Sequence, residues 1–234
     1  MKVLIKFPTR KRPDIFFNTF DLYYRWLSGK HDVQFNITMD YDDETMNNET
    51  IWKRLDAYKN VKYCYGYSKS KIEAVNANLE DEIFDILILA SDDMIPVTQG
   101  YDDIVCNDMQ QHFPELDGSL FYNDGRVGNT TCTLSIMSYK LYKRFGYIYH
   151  PDYLSLWCDN EYTDVAKGWG KMVYIDRMII KHGWENITHH DPLFQHNQKF
   201  YDRDQIVYNT RRERGFPKES IGNVTLKMPK NKRP

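Results

Sequence analysis

Apolar and polar positions along this chain fall into blocks that predict strands followed by helices. Val3 to Phe7 reads as a first strand, stopped by Pro8. Phe16, Phe17, Phe20, Tyr23, Tyr24 and Leu27 then recur at helical spacing, with Pro13 suited to a first turn and Gly29 to a stop. Val33 to Met39 alternates as a second strand, a helix follows from Asn47 to Tyr58, and Val61 to Tyr65 reads as a third strand. Ser68 to Lys71 opens a helix carrying Ile72, Val75, Asn76 and Leu79. Ile86 to Ser91 carries no charge, as expected of a central strand buried on both faces. Strands and helices alternating in this way predict right-handed crossovers and a largely parallel sheet flanked by helices.

Beyond Asp93 the order changes. A helix is expected through Tyr101, Ile104, Val105 and Met109, a short strand from Ser119 to Tyr122, and a turn at Asn123-Asp124-Gly125. Thr131 to Met137 reads as a strand, and Tyr139, Leu141 and Tyr142 as a helix ending near Gly146. Asp159 to Lys167 suits a helix closed by Gly168, and Met172–Ile175 and Met178–Ile180 are strand-like. From Trp184 the chain turns polar and rich in histidine. Residues 211–234 hold eight Lys and Arg against Glu213 and Glu219, a local net charge of +6. Such a tail either wraps the domain or stays disordered, and it suits an anionic surface bearing a lipid-linked acceptor. No repeat or linker divides the rest, so the reading is one α/β domain over 1–210, its halves meeting near residue 98.

Composition adds exclusions. At 41% hydrophobic and 27% charged, with 18 Tyr and 5 Trp, the chain has ample material for a core. A net charge of −2 gives no argument for nucleic acid. The four cysteines show no C-x-x-C pair, which disfavours a zinc knuckle and predicts reduced thiols. No apolar run reaches the roughly 20 residues of a membrane span, and the N-terminus opens on a strand rather than a leader. A soluble cytoplasmic protein is expected.

The chemistry concentrates at strand ends. If the first, second and fourth strands are parallel, Pro8-Thr9-Arg10-Lys11-Arg12, Asp40-Tyr41-Asp42-Asp43 and Ser91-Asp92-Asp93 share one sheet edge, where ligands of open α/β sheets bind. Carboxylates there accept hydrogen bonds from base and ribose, Arg binds phosphate oxygens bidentately, and a hard cation prefers carboxylate and phosphate oxygen. The bland alternative for Asp92 and Asp93 is strand termination.

This arrangement resembles the GT-A fold glycosyltransferases, whose first half ends in a short acidic D-x-D motif. The resemblance spans roughly residues 2–210 and departs at the motif itself, which here reads Ser91-Asp92-Asp93. It implies a nucleotide-binding half over 1–98 and an acceptor-side half over 99–210. It implies that Pro8, Thr9, Arg10, Arg12, Asp40, Asp42, Lys71 and Asn76 meet the donor. Asp93 would ligate Mn2+ or Mg2+, while Ser91 or Asp92 faces the ribose or a bound water. Trp157-Cys158-Asp159-Asn160-Glu161-Tyr162 resembles the acidic motif of inverting members, which implies Asp159 as general base on the acceptor hydroxyl, with Glu161 second. Helix N-capping is the competing role for Asp159. A late histidine, His189 or His190, would complete the metal site. Tyr201-Asp202-Arg203-Asp204 and Arg211-Arg212 are read either as a lid over the diphosphate or as a solvated helix face.

The implied activity is hexosyl transfer from a nucleotide-sugar, a UDP-sugar first, to a glycan, lipid-linked or protein acceptor. Three other classes compete, the least favoured a metallohydrolase built on His182, His189, His190 and His196, whose spacing is no standard zinc signature. A nucleotidyltransferase would carry a Gly-rich loop after the first strand, and this loop has none. A non-catalytic nucleotide- or carbohydrate-binding protein would have no need of Asp159.

Overall fold

The first strand, β1 (Lys2–Pro8), sits inside a seven-stranded sheet because it is apolar on both faces. Val3, Ile5 and Phe7 join one core cluster and Leu4 the other, as the alternation of side chains in a strand requires. The computed structural model describes residues 1–183 and 191–222. Helix α1 (Pro13–Arg25) follows, then β2 (Asp32–Asp40), α2 (Glu49–Asp56), β3 (Val61–Gly66), α3 (Lys71–Asn76) and β4 (Ile86–Leu89). The second half supplies β5 (Met94–Pro96), α4 (Tyr101–His112), β6 (Ser119–Tyr122), β7 (Ile136–Ser138) and α5 (Tyr139–Phe145). It ends in α6 (Cys158–Gly168), β8 (Met172–Ile175), β9 (Ile180–His182), α7 (Pro192–Gln198) and α8 (Tyr201–Glu213).

The large sheet runs in the order β3-β2-β1-β4-β7-β6-β8. β1 is parallel to both β2 and β4, with Val3 opposite Val33 and Ile86. β7 alone runs backwards, antiparallel to both β4 and β6. Two reversals restore direction, so β6 and its parallel partner β8 end at the same edge as β1 to β4. One face is covered by α1, α2 and α4 through Phe16, Phe20, Tyr23, Leu55, Tyr101 and Val105. The other is covered by α3, α5, α6 and α8 through Ile72, Val75, Leu141, Phe145, Tyr162 and Val207. Each such large side chain contributes about 1.5–3 kcal/mol by leaving water.

Lys6 breaks the apolar pattern of β1. Its ammonium is fully buried and donates to Asn36 Oδ1 at 3.2 Å, to Thr38 Oγ1 and to the Ala77 carbonyl at 2.7 Å. Burial pulls its pKa down to about 8.

Four elements differ from expectation. The central strand stops at Leu89, because Ser91 already accepts the turn-closing N–H of Met94. The strand expected at Thr131–Met137 shrinks to Ile136–Ser138: the Cys132 N–H goes to the Thr163 hydroxyl on α6, at 2.9 Å, instead of to a neighbouring strand. The strand expected at Met178–Ile180 lies at Ile180–His182 and pairs antiparallel with β5 in a separate two-stranded sheet. α7 occupies a polar stretch that gave no helical signal.

α8 matches the helix-face reading at Tyr201, Asp202 and Arg212, which are exposed, but not at Asp204 and Arg211. Asp204 is fully buried and accepts the backbone N–H groups of Leu154, Ser155 and Leu156. Arg211, counted with the tail from sequence, is fully buried. Its Nε and Nη2 meet Glu161 at 2.7 and 2.9 Å, its Nη1 meets Asp152 at 2.9 Å, and it also donates to the Pro217 and Glu219 carbonyls. Residues 214–222 are thereby strapped back onto the domain, with Phe216 packed on Tyr208. Among the described residues, no helix is long and apolar enough to cross a membrane.

Candidate functional site

The carboxyl edge of the sheet gathers the strand ends singled out from sequence. Pro8 closes β1, and Thr9 donates its N–H to the Thr38 carbonyl while its hydroxyl points to Asp92 Oδ2 at 3.5 Å. Lys11 then takes φ 60°, a left-handed conformation costly for a non-glycine residue. Its N–H is caught by Asp43 Oδ2 at 2.6 Å. The kink splays its neighbours. Arg10 turns to β2, meeting Asp40 at 2.6 Å and both Asp42 oxygens at 2.8 Å. Arg12 turns the other way and grips Asp191, the N-cap of α7, through two hydrogen bonds of 3.0 and 2.5 Å. Asp40 in turn accepts the Ser68 N–H, tying the β3 end to the same edge.

The end of β4 places Asp92 inward and Asp93 at the crevice. Asp92 is buried with Oδ1 lacking a hydrogen-bond partner, and this burial pushes its carboxyl up to about 7, against the nearby Arg12 charge. Burial also acts on Asp93, but His182, Lys71 and the Ser91 hydroxyl outweigh it and hold this carboxyl well below the ordinary range. His182 arrives because β5 pairs with β9, putting Met94 opposite His182 in register. Its Nε2 lies 3.5 Å from Asp93 Oδ2, and its Nδ1 lies 3.6 Å from Asp124 Oδ2. Burial disfavours the imidazolium, yet the two carboxylates prevail and raise its pKa.

Across the crevice, α6 begins after Trp157, which sits at φ 64° between the rings of Tyr201 and Tyr208. Asp159 lies in the first turn and accepts the Asn160 N–H at 3.0 Å. Burial raises its pKa, opposed by the positive charge of Lys71 and, more weakly, of His182. Lys71, exposed at the start of α3, acts electrostatically on both Asp93 and Asp159, and His182 does the same.

Two expected residues turn elsewhere. Glu161 is 3% exposed, with Oε2 taken by Arg211 and the Tyr153 hydroxyl and Oε1 by Arg211. It balances the buried guanidinium instead of facing the crevice. Asn76 caps loop backbone, accepting from the N–H groups of Ile148 and Tyr149 and donating to the Tyr149 carbonyl. His189 and His190 lie outside the described residues. Three residues at this edge had no expected role in binding donor, metal or acceptor: His182, Asp124 and Asp191. His182 lies two positions past the strand expected at Met178–Ile180, and Asp124 in the turn two positions past β6, but only the topology brings them to this edge.

The donor set bears on a cation. Among the described residues, no group of three or more His, Cys, Asp or Glu could hold a metal by itself. Mg2+-like ions need fewer, since they keep waters and share their coordination with substrate phosphates. Adjacent octahedral ligands at about 2.1 Å from the ion stand about 3 Å apart. The 3.5 Å between Asp93 Oδ2 and His182 Nε2 is close to that spacing. Asp93 and His182 therefore fit a cation completed by phosphate and water, not a closed protein cage.

No protein-family model matches the sequence, and no curated protein matches it. Solved structures match the fold. A mannosyltransferase from Pyrobaculum calidifontis in complex with GDP-Man and Mn2+ superposes with a TM-score of 0.62 at 12% identity, over 80% of this chain and 58% of that one. TarS from S. aureus, residues 1–349 with UDP-GlcNAc, gives 0.59 at 14% identity, over 77% of this chain and 57% of that one. A Drosophila β1,4-galactosyltransferase 7 mutant with manganese, UDP-Gal and xylobiose gives 0.52 at 9% identity, over 77% and 70%. This chain spans less than three-fifths of the length of the first two. It has the GT-A fold, an α/β domain built on a mostly parallel central sheet.

Proposed function

We propose that this chain is a metal-dependent glycosyltransferase that moves a sugar from a nucleotide-sugar, a UDP-sugar first, to a hydroxyl acceptor with inversion. The observation that carries the reading is an ionised Asp93 beside His182 at the carboxyl edge of the sheet, sharing the charges of Lys71 and His182 with a partly buried Asp159 at the start of α6. The solved structures with the same fold include ones holding nucleotide-sugars and manganese, which supports a donor of that class.

In this reading Asp40 and Asp42 receive the base and ribose, with Arg10 fixing their orientation through its three hydrogen bonds. Thr9 and Ser91 line the floor beside Asp92. Asp93 and His182 hold the cation, which when bound offsets the negative charge developing on the leaving diphosphate. Lys71 adds a flexible positive charge at the same place. Asp159 takes the proton from the acceptor hydroxyl as oxygen attacks the anomeric carbon and the sugar–phosphate bond breaks. Burial raises its pKa and so makes its carboxylate a stronger base than a solvated one, with Lys71 opposing the shift. Residues 1–98 then form the donor half and 99–210 the acceptor half.

Calorimetric titration with UDP, GDP and CMP, each with Mn2+ and with EDTA, tests the donor site. Binding of one nucleotide that needs the metal and is lost in Asp93→Asn is expected; no binding of any nucleotide would end the proposal. Asp159→Asn should keep donor binding and lose transfer, whereas equal turnover would remove Asp159 as base.

A further inference from the structure

Asp124 lies outside every strand end noted from sequence, yet its carboxylate accepts three hydrogen bonds at this edge. It is 5% exposed. Oδ1 accepts the N–H groups of Arg126 and Val127, both at 2.9 Å, and Oδ2 accepts the Thr133 hydroxyl at 2.8 Å. Oδ2 also faces His182 Nδ1 at 3.6 Å, and the Asp124 carbonyl takes the His182 N–H at 2.9 Å. The main chain of Asp124 thus binds the His182 backbone while its carboxylate faces the ring. Its ring lies between two carboxylates, Asp124 at Nδ1 and Asp93 at Nε2.

We infer that Asp124 is a positioning residue that fixes the ring and tautomer of His182, keeping the proton on Nδ1 and the Nε2 lone pair directed to the crevice. The inference rests on the reading that Asp93 and His182 share a cation. A neutral imidazole can donate from only one nitrogen, and an ionised carboxylate can only accept. With the cation shared by Asp93 taking the Nε2 lone pair, the ring's one proton sits on Nδ1, where the Asp124 carboxylate faces it. Carboxylates behind metal-bound histidines act in this way generally, and their loss costs roughly 10–100-fold in metal affinity. The three donors on Asp124 come from the loop 126–133, so the carboxylate is held in place before any ligand arrives.

Asp124→Asn is the sharp test. The introduced amide preserves the shape and an acceptor for Arg126 and Val127. It also turns an N–H toward His182 Nδ1, which favours the opposite tautomer. Two readouts apply: Mn2+ affinity in the presence of UDP, by electron paramagnetic resonance, and the ring 15N shifts of neutral His182 in histidine-labelled protein, assigned with His182→Gln. The expected result is roughly 10–100-fold weaker Mn2+ binding together with a switch from Nδ1–H to Nε2–H. Thr133→Val, which removes one hydroxyl from Oδ2, should weaken Mn2+ binding less and in the same direction, and it decides the matter if Asp124→Asn does not fold. Unchanged Mn2+ affinity with an unchanged tautomer in both variants would overturn the assignment. If the wild-type protein with UDP or GDP binds no Mn2+, the metal reading fails, but the nitrogen shifts need no metal and still decide whether Asp124 sets the tautomer.

Discussion

Replacing Arg211 with Met should unfold much of what holds the second half together. The guanidinium is fully buried, and all its N–H directions are used: two on Glu161, one on Asp152, and two on the Pro217 and Glu219 carbonyls. Methionine fills comparable volume without a donor. Glu161, 3% exposed, and Asp152, its side chain 9% exposed, then lose this countercharge, and Glu161 keeps only the hydrogen bond from the Tyr153 hydroxyl. Breaking a buried ion pair from one side costs about 3–5 kcal/mol. Against a total of about 5–15 kcal/mol for a typical domain, that is a large fraction. In urea the midpoint should fall by roughly 1–2 M. Arg211→Met combined with Glu161→Leu should recover part of the loss, because removing both partners costs less than stranding one. Urea titrations of the three proteins by circular dichroism measure this. A loss below about 1 kcal/mol in the single variant, in the range of an exposed pair, would refute the view that this network is structural and reopen a catalytic role for Glu161.

Three further outcomes are expected. Lys6 keeps its proton only to about pH 8 in the folded chain against 10.5 when unfolded. Between those values the unfolded state binds more protons, so stability rises with pH; relative to Lys6→Met, the wild-type chain should gain about 3 kcal/mol from pH 7.5 to 10.5, and a flat difference in urea titrations would contradict the burial argument. Cys106, Cys132 and Cys158 are buried free thiols whose pKa burial raises, while Cys64 is half-buried, so thiol titration of native protein should show one fast group and denatured protein four; a second fast native thiol would contradict this. In transfer assays, the acid limb of the rate profile should lie above the ordinary carboxyl value of 3.8, because burial raises Asp159; a limb at or below it, or one unmoved by Asp159→Asn, would point to another base.

Much of the architecture was readable wherever burial follows apolar periodicity. β1, β2, β3, α1 and α4 show it, and Ser119–Tyr122 and Met172–Ile175 match their strands residue for residue. α8 shows why the method fails elsewhere. Its buried positions, Asp204, Val207, Tyr208 and Arg211, are correctly spaced for a helix, but two of the four are charged, so hydrophobic periodicity does not register them. β5 has three residues, too few for any alternation to stand out. At the site, the acids and bases at the ends of β1, β2 and β4 could be grouped from sequence because parallel neighbours share an edge. Asp124 could not, since Asn123-Asp124-Gly125 reads as a turn until the direction of β6 is known. Arg12 and Asp191 are separated by 179 positions, and no local pattern links them.

The backward strand β7 has a consequence for anyone who would cut this chain in two. It comes from the second half of the sequence but lies between β4 and β6, hydrogen-bonded to Ile86, Leu87 and Ile88. A fragment ending near residue 98 would present β4 as an open edge of three aliphatic residues with unused N–H and C=O groups, a template for pairing with further copies. Such a fragment should self-associate instead of behaving as a free nucleotide-binding module. Mixing it with the complementary fragment should restore solubility only if β7 can insert beside β4, so the two halves of the chain stand or fall as one sheet.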